Sequence, residues 1–326
     1  MKTSIDHKII VITGASSGAG RTTALTLASG GACLVLAARN VRALEETAGE
    51  CRQRGAEVLV IPTDVTDHRA VTALASKAND WKGKVDVWVN NAGVLGAGSF
   101  DETPWELHEK IIHTNLLGYM NGAHAILPYF KRQGYGTIIN NISIGGYLPV
   151  PYGAAYSASK FALRGFSEAL KGELAAWRNI HIVDLFPAFL NTPGIRHAGN
   201  YTGRKLRPAP PVSDPQVLAD AVYASILNPL SNRFPGAASR PFKWMHAIAP
   251  ELVTKLSGTF MRTYFKLAGR VAHTDGNLLH SVDFAMRTHG NTKRGDNGQT
   301  SKKIVIAGVL AGLAAGIYFQ YLSSRK

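Results

Sequence analysis

Two cysteines in 326 residues, Cys33 and Cys51, are too few for a disulfide framework. They fall in a predicted strand and the predicted helix after it, and read as buried thiols of a chain in a reducing compartment. A chain of this length buries a large core without such staples, as one α/β domain with extensions or as two small domains. Acidic residues are also scarce, 22 against 36 Lys and Arg, which leaves a formal net charge of +14. The deficit is uneven: residues 1–228 carry 22 Lys/Arg and 18 Asp/Glu, whereas residues 229–326 carry 14 and 4. No recognisable DNA- or RNA-binding module accompanies that basic last third, so nucleic acid is not the expected partner. A hydrophobic leader is missing too. KIIVIT begins at Lys8 with no apolar run before it, and no secretory signal is expected. No internal repeat is present.

One long uncharged run is present, IVIAGVLAGLAAGIYFQYL at 304–322, bracketed by Lys302 and Lys303 and by Arg325 and Lys326. As a helix it spans about 28 Å, near the roughly 30 Å of a bilayer's hydrocarbon. Tyr318 and Tyr321 stand near one end, where interfacial aromatics belong. The expectation is a single-pass C-terminal anchor with the remainder of the chain on the cytoplasmic side, its basic flank suited to an anionic membrane surface. Gly308, Gly312 and Gly316 form a small-residue stripe on which a second such helix could pack, and a homo-oligomer, dimer or tetramer, is expected.

Upstream, short β-branched runs alternate with longer helical stretches. KIIVIT, ACLVLAA, EVLVIP, VDVWVN, GTIINNIS and IHIVDLF read as strands, and 18–30, 40–54, 67–81, 103–131 and about 153–178 as helices. No hairpin signals separate the strands. The pattern predicts an α/β fold, a doubly wound parallel sheet of the Rossmann type with helices on both faces. Residues 187–213, with five prolines and three glycines, read as a long loop placed where a substrate lid belongs. Ser213 caps a helix that includes Pro215 and runs to about Asn228. The expected organisation is a catalytic domain over 1–228, a basic and apolar extension over 229–287, a flexible linker over 288–303 and the span at 304–322. Within the extension, a short strand near 234–239 and one or two helices between 242 and 270 are expected, with Phe242, Trp244, Phe260, Arg262, Phe265 and Lys266 available to a membrane surface or to packing on the domain.

The first strand runs directly into TGASSGAG, residues 13–20, and then a helix. Gly14, Gly18 and Gly20, with Ser16 and Ser17 between them, make a sharp turn against which a pyrophosphate can lie, on the free N–H groups of the helix N-terminus. The second strand ends in LAARN. Ala37 and Ala38 offer nothing to a ribose where an acid would stand for NAD(H), and Arg39 offers a planar cationic fork to a phosphate, so NADP(H) is expected over NAD(H). In AAYSASK, residues 154–160, Tyr156 and Lys160 lie one helical turn apart, their Cβ atoms about 5–6 Å from each other.

These residues resemble the short-chain dehydrogenase/reductase family. TGASSGAG matches its TGxxxGxG turn, NNAG at 90–93 its fourth-strand motif, and YSASK its YxxxK signature, over roughly residues 5–228. The resemblance implies that Asp64 contacts the adenine, that Asn91 and Gly93 border the cofactor, and that Thr192 holds the nicotinamide carboxamide. It also implies a catalytic tetrad of Asn115, Ser143, Tyr156 and Lys160. Reduction of a carbonyl needs a proton delivered to an oxygen that is becoming an alkoxide, and a free tyrosine with pKa near 10 is a sluggish acid at neutral pH. A nearby ammonium favours the phenolate. Lys160 would bond the nicotinamide ribose, Ser143 would donate to the substrate oxygen, and Asn115 would support a relay water near Lys160. Two departures stand out. PAFLNT at 187–192 has Ala188 where the family has glycine, which puts the local backbone near the nicotinamide in question, and a seventh strand is hard to find.

The membrane run points to a lipophilic substrate, a steroid-, retinoid- or fatty-ketone-like carbonyl or alcohol. The competing readings are a non-catalytic NADPH-sensing membrane protein and an epimerase or lyase on the same fold. Retention of both Tyr156 and Lys160 weighs against the sensor.

Overall fold

The computed structural model describes residues 4–208, 212–236 and 239–290. The predicted span at 304–322 and most of the predicted linker lie outside them. Among the described residues no helix is long and apolar enough to cross a membrane.

The chain runs β1 (Ile9–Thr13), α1 (Gly18–Ser29), β2 (Cys33–Ala38), α2 (Val41–Arg52), β3 (Val58–Pro62), α3 (His68–Lys82), β4 (Val87–Asn90) and a short β5 (Gly96–Ala97). It continues through α4 (Trp105–Ile112), α5 (Gly118–Gln133), β6 (Gly136–Asn141), α6 (Ala154–Glu173), β7 (Ile180–Leu185) and a short β8 (Gly199–Asn200). Last come α7 (Gln216–Leu227), β9 (Asn232–Arg233), α8 (Ser239–Ile248) and α9 (Pro250–Leu267). The main sheet is seven-stranded in the order β3-β2-β1-β4-β6-β7-β9. Every neighbour pair in it is parallel. This is the Rossmann-like architecture expected from the alternating runs.

The strands are apolar throughout because both sheet faces are covered. Ile10 and Ile12 of β1 pack with Leu34, Leu36, Leu27, Leu218 and Val222, on the side of α1, α2 and α7. Ile9 and Val11 point the other way, into a cluster with Val35, Leu74, Ile126 and Phe130 on the side of α3 and α5. A buried polar ladder crosses the sheet: Asn90 donates to Asn140 Oδ1 (3.0 Å) and Asn140 to Asp184 Oδ1 (3.1 Å). It ties β4, β6 and β7 together near their carboxyl ends.

Three expectations need correction. The predicted single helix over 103–131 is two α-helices joined by a π-helical turn at His113–Leu117. The short strand expected near 234–239 is β9 at Asn232–Arg233 instead, and it is the seventh strand of the sheet. Ser143 lies beyond the end of β6, in a turn at φ 91°. At the start of the expected linker, His289 meets Asp214 Oδ2 at 3.1 Å, and the Gly290 N–H donates to Asn191 O at 3.0 Å.

Candidate active site

A groove of about 400 Å³ runs along the carboxyl edge of the sheet. The topology reverses there between β1 and β4, where open α/β sheets place their ligands. Gly14, Ser16, Ser17, Gly18, Gly20, Arg39, Asp64, Asn91, Gly93, Asn115, Ser143, Tyr156, Lys160 and Thr192 all line it. The structure thus brings every sequence-predicted site residue to one cleft.

The glycine turn is built to be tight. Gly14 has φ +67°, and a Cβ there would lie 2.7 Å from Ala92 Cα; a Cβ on Gly20 would lie 2.1 Å from Gly14 O. Only bare backbone passes at these points. Asn91 holds the turn from beside it, its amide nitrogen donating to Thr13 O (3.1 Å) and Gly14 O (3.3 Å). Ser17 stands at the N-cap of α1 without a side-chain capping bond, which leaves the helix N–H groups to other acceptors. These features fit a dinucleotide. Thr192 sits against Gly18, 3.3 Å from where a Cβ would stand. Asp64 turns inward on its own loop, accepting from the Thr66 N–H (2.9 Å) and hydroxyl (2.8 Å). Ala188 lines the groove and is not among the residues with positive φ, so the alanine in the place of the family glycine is carried without strain.

At the other end, Ser143, Tyr156 and Lys160 converge. The Ser143 hydroxyl stands beside the Tyr156 ring. It also accepts from the Gly145 N–H at 3.1 Å. Ser143 is a non-glycine residue held at φ 91°, the strained backbone that clusters at functional sites. Lys160 is 4% exposed, with Nζ 5.1 Å from the Tyr119 ring centroid and 5.8 Å from that of Tyr156. Its hydrogen-bond acceptor is Asn141 O at 3.5 Å. Burial without a carboxylate partner pulls the ammonium down from its ordinary 10.5 to about 7. Burial pushes the Tyr156 phenol up, and the Ser143 hydroxyl pulls it partly back. The nearby lysine was expected to favour the phenolate. In the chain alone desolvation outweighs it, because a lysine that gives up its own proton near neutral pH offers little charge.

Asn115 sits in the π-helical turn, fully buried. Its side chain accepts from the Val94 N–H (2.8 Å) and donates to Val94 O (2.9 Å) and Ser159 Oγ (3.3 Å). Ser159 in turn donates to Tyr156 O at 2.7 Å. Both amide hydrogens of Asn115 are therefore spent on fixing the loop after β4 to the first turn of α6. Its visible role is to position.

Sequence reasoning missed four groups. Tyr119, which faces Lys160 and donates to Asn141 O at 2.8 Å, carried no motif signal. Arg21 and Asn40 were passed over beside the glycine turn and Arg39. Asn277, Ser281, Val282 and Met286 reach the groove from the far end of the described chain, where no local pattern announces them.

The comparisons with known proteins agree with this geometry. The short chain dehydrogenase family model matches residues 8–200. The chain belongs to the short-chain dehydrogenase/reductase family, and is an oxidoreductase of that type. It is 40% identical over 189 residues to an uncharacterized oxidoreductase of Listeria monocytogenes, covering 58% of this chain and 76% of the relative. With the mouse estradiol 17-beta-dehydrogenase 11 it shares 35% identity over 209 residues, 64% of this chain and 70% of that one. Among solved structures, an alcohol dehydrogenase of the archaeon Thermococcus sibiricus, complexed with 5-hydroxy-NADP, aligns with a TM-score of 0.61 at 30% identity, covering 70% of this chain and 96% of that one.

Proposed function

We propose that this chain interconverts a carbonyl and an alcohol with NADP(H), on a lipophilic substrate held near a membrane. The observation that carries the proposal is the convergence of Ser143, Tyr156 and Lys160 in the groove whose other end is the glycine turn. When bound, the nicotinamide supplies or accepts the hydride. The chain's own residues do the rest. Ser143 Oγ and the Tyr156 phenol, side by side in the groove, both turn to the substrate oxygen, one as hydrogen-bond donor and one as the acid that delivers the proton. Lys160 holds the nicotinamide ribose, and a proton on its Nζ lowers the cost of ionising Tyr156. Asn115 positions Tyr156 through Ser159.

Gly14, Ser16, Ser17, Gly18 and Gly20 take the pyrophosphate, Asp64 the adenine, Asn91 and Gly93 the nicotinamide side and Thr192 the carboxamide. The preference for NADP(H) over NAD(H) rests on Arg39 and on the missing acid at the end of β2. The lining of the groove includes the apolar Ile144, Leu148, Val150, Phe189 and Ile195, which favours a steroid-, retinoid- or fatty-ketone-like molecule. The name of the mouse relative supports the same direction.

On this reading the catalytic domain is 1–228, the extension 229–287, and a single-pass anchor 304–322, with the domain on the cytoplasmic side and the chain self-associating. The extension offers a second membrane contact. Leu256, Phe260 and Leu267 of α9, at helical spacing, are 49%, 52% and 84% exposed, and Lys255, Arg262 and Lys266 run beside them. Phe265, left open between a membrane surface and the domain, packs on Tyr152 with ring centroids 5.0 Å apart, which seats α9 against the loop ahead of Tyr156. Trp244 is 60% exposed on α8. Steady-state absorbance of NADPH with a panel of lipophilic ketones tests the proposal. Turnover that follows ketone concentration is expected; NADPH binding without consumption would favour the sensor reading, and product isomerisation without net consumption the epimerase.

A further inference from the structure

The donors that a dinucleotide's phosphates require are already engaged, by main-chain carbonyls from a segment outside the matched family region, which ends at residue 200. At the fastened end of the segment, ahead of the part that could lift, Arg39 Nη2 donates to Asn277 O at 2.6 Å. The Gly18 N–H, first of α1, donates to Arg287 O at 2.8 Å, and Arg21 donates to Met286 O. Asn40, between them, donates to Val282 O (2.9 Å) and Asp283 Oδ1 (2.8 Å).

The two ends of the segment are fastened. Leu278 is 1% exposed in a cluster with Val94, Leu107 and Ile111, and Gly290 bonds Asn191. The stretch between them buries no side chain, and Ala285 is held at φ 54°, a conformation that costs any residue with a Cβ. Between the ends Phe284 meets His197, with ring centroids 5.4 Å apart and Phe284 O 2.9 Å from Nε2; with no buried side chain and a strained centre, the segment belongs to the part of a fold that opens first.

We propose that residues 280–287 are a strap that competes with the cofactor: its carbonyls stand where phosphate oxygens would accept, and the strap must lift for NADP(H) to seat. This rests on the groove being a dinucleotide site. A carbonyl and a phosphate oxygen are both acceptors only, so the single Gly18 N–H cannot serve both in full. The apparent affinity is then the intrinsic one reduced by the fraction of chains with the strap open.

Two substitutions at Ala285, outside the catalytic and binding machinery, move that fraction in opposite directions. Ala285→Val places a β-branched residue at positive φ and opens the strap; Ala285→Gly removes the strain and closes it. Full-length protein is titrated with NADPH by cofactor fluorescence, and hydrogen exchange in 280–290 is followed by mass spectrometry with and without NADPH. We expect Ala285→Val to tighten NADPH binding by roughly three- to tenfold, Ala285→Gly to weaken it, and NADPH to speed exchange in 280–290 of the unsubstituted chain. Slower exchange with NADPH, or the reverse order of affinities, would overturn the proposal by making the strap a clasp over bound cofactor. Equal affinities in all three chains would overturn it as well. If none binds NADPH, the dinucleotide reading itself falls.

Discussion

At Lys160 the electrostatics of the site become measurable without any substrate. Its pKa, about 7 in the folded chain against an ordinary 10.5, is depressed by burial. Between those values the unfolded chain binds a proton that the native chain does not, so stability rises with pH across the window. Below about 7 both forms are protonated and the penalty is constant. The slope from this one buried group is about 1.4 kcal/mol per pH unit. Cys51, raised by burial from 9.0 to about 12, works in the opposite sense once pH exceeds 9. The clean window is therefore pH 7 to about 8.5. Cofactor-free protein should gain stability across it in chemical denaturation, and Lys160→Met should be both more stable at pH 7 and flatter in profile; parallel profiles for the two would contradict the depressed pKa.

At the scale of elements, the glycine turn and the π-helical turn do the placing. Gly20→Ala puts a methyl 2.1 Å from Gly14 O, an overlap that backbone must yield to. The expected cost is about 1–3 kcal/mol of stability together with loss of NADPH binding, read by thermal melts and by titration. Asn115→Ala strips the Val94 N–H and C=O of both their bonds and should cost about 2–4 kcal/mol, with kcat falling more than KM changes because Tyr156 loses its indirect support. The sheet, its helices and the glycine turn were legible in the sequence because each rests on local signal: apolar runs, and glycines between a strand and a helix. The Tyr156–Lys160 spacing was legible as one helical turn, whereas Asn115 and Ser143 entered only through the family resemblance. The π-helical turn was not, since 105–133 keeps its helical pattern through His113–Leu117. Nor was β9, whose two residues are too few to show a period. The strap was invisible for a different reason. Asn40 and Val282 are joined across 242 positions, and nothing near either residue encodes the other.

For the whole molecule, the basic last third gives the account its reach beyond the fold. The exposed Leu256, Phe260 and Leu267 stripe and its Lys255, Arg262 and Lys266 neighbours should bind anionic vesicles independently of 304–322. A chain lacking residues 301–326 is expected to leave the membrane fraction of cells, yet to sediment with phosphatidylserine vesicles at low salt. Changing Lys255, Arg262 and Lys266 together to Glu should abolish the vesicle binding without altering turnover of a soluble ketone. Binding that survives the charge reversal would remove α9 as a contact. The central claim is that the cleft joining the glycine turn to Ser143, Tyr156 and Lys160 is a working carbonyl reductase site. The most direct measurement compares steady-state NADPH consumption and NADPH affinity in the natural chain and in Tyr156→Phe, with a lipophilic ketone as substrate. The account predicts consumption in the first, its loss by at least about 10²-fold in the second, and nearly equal affinities. Substantial turnover by the phenylalanine variant would contradict it.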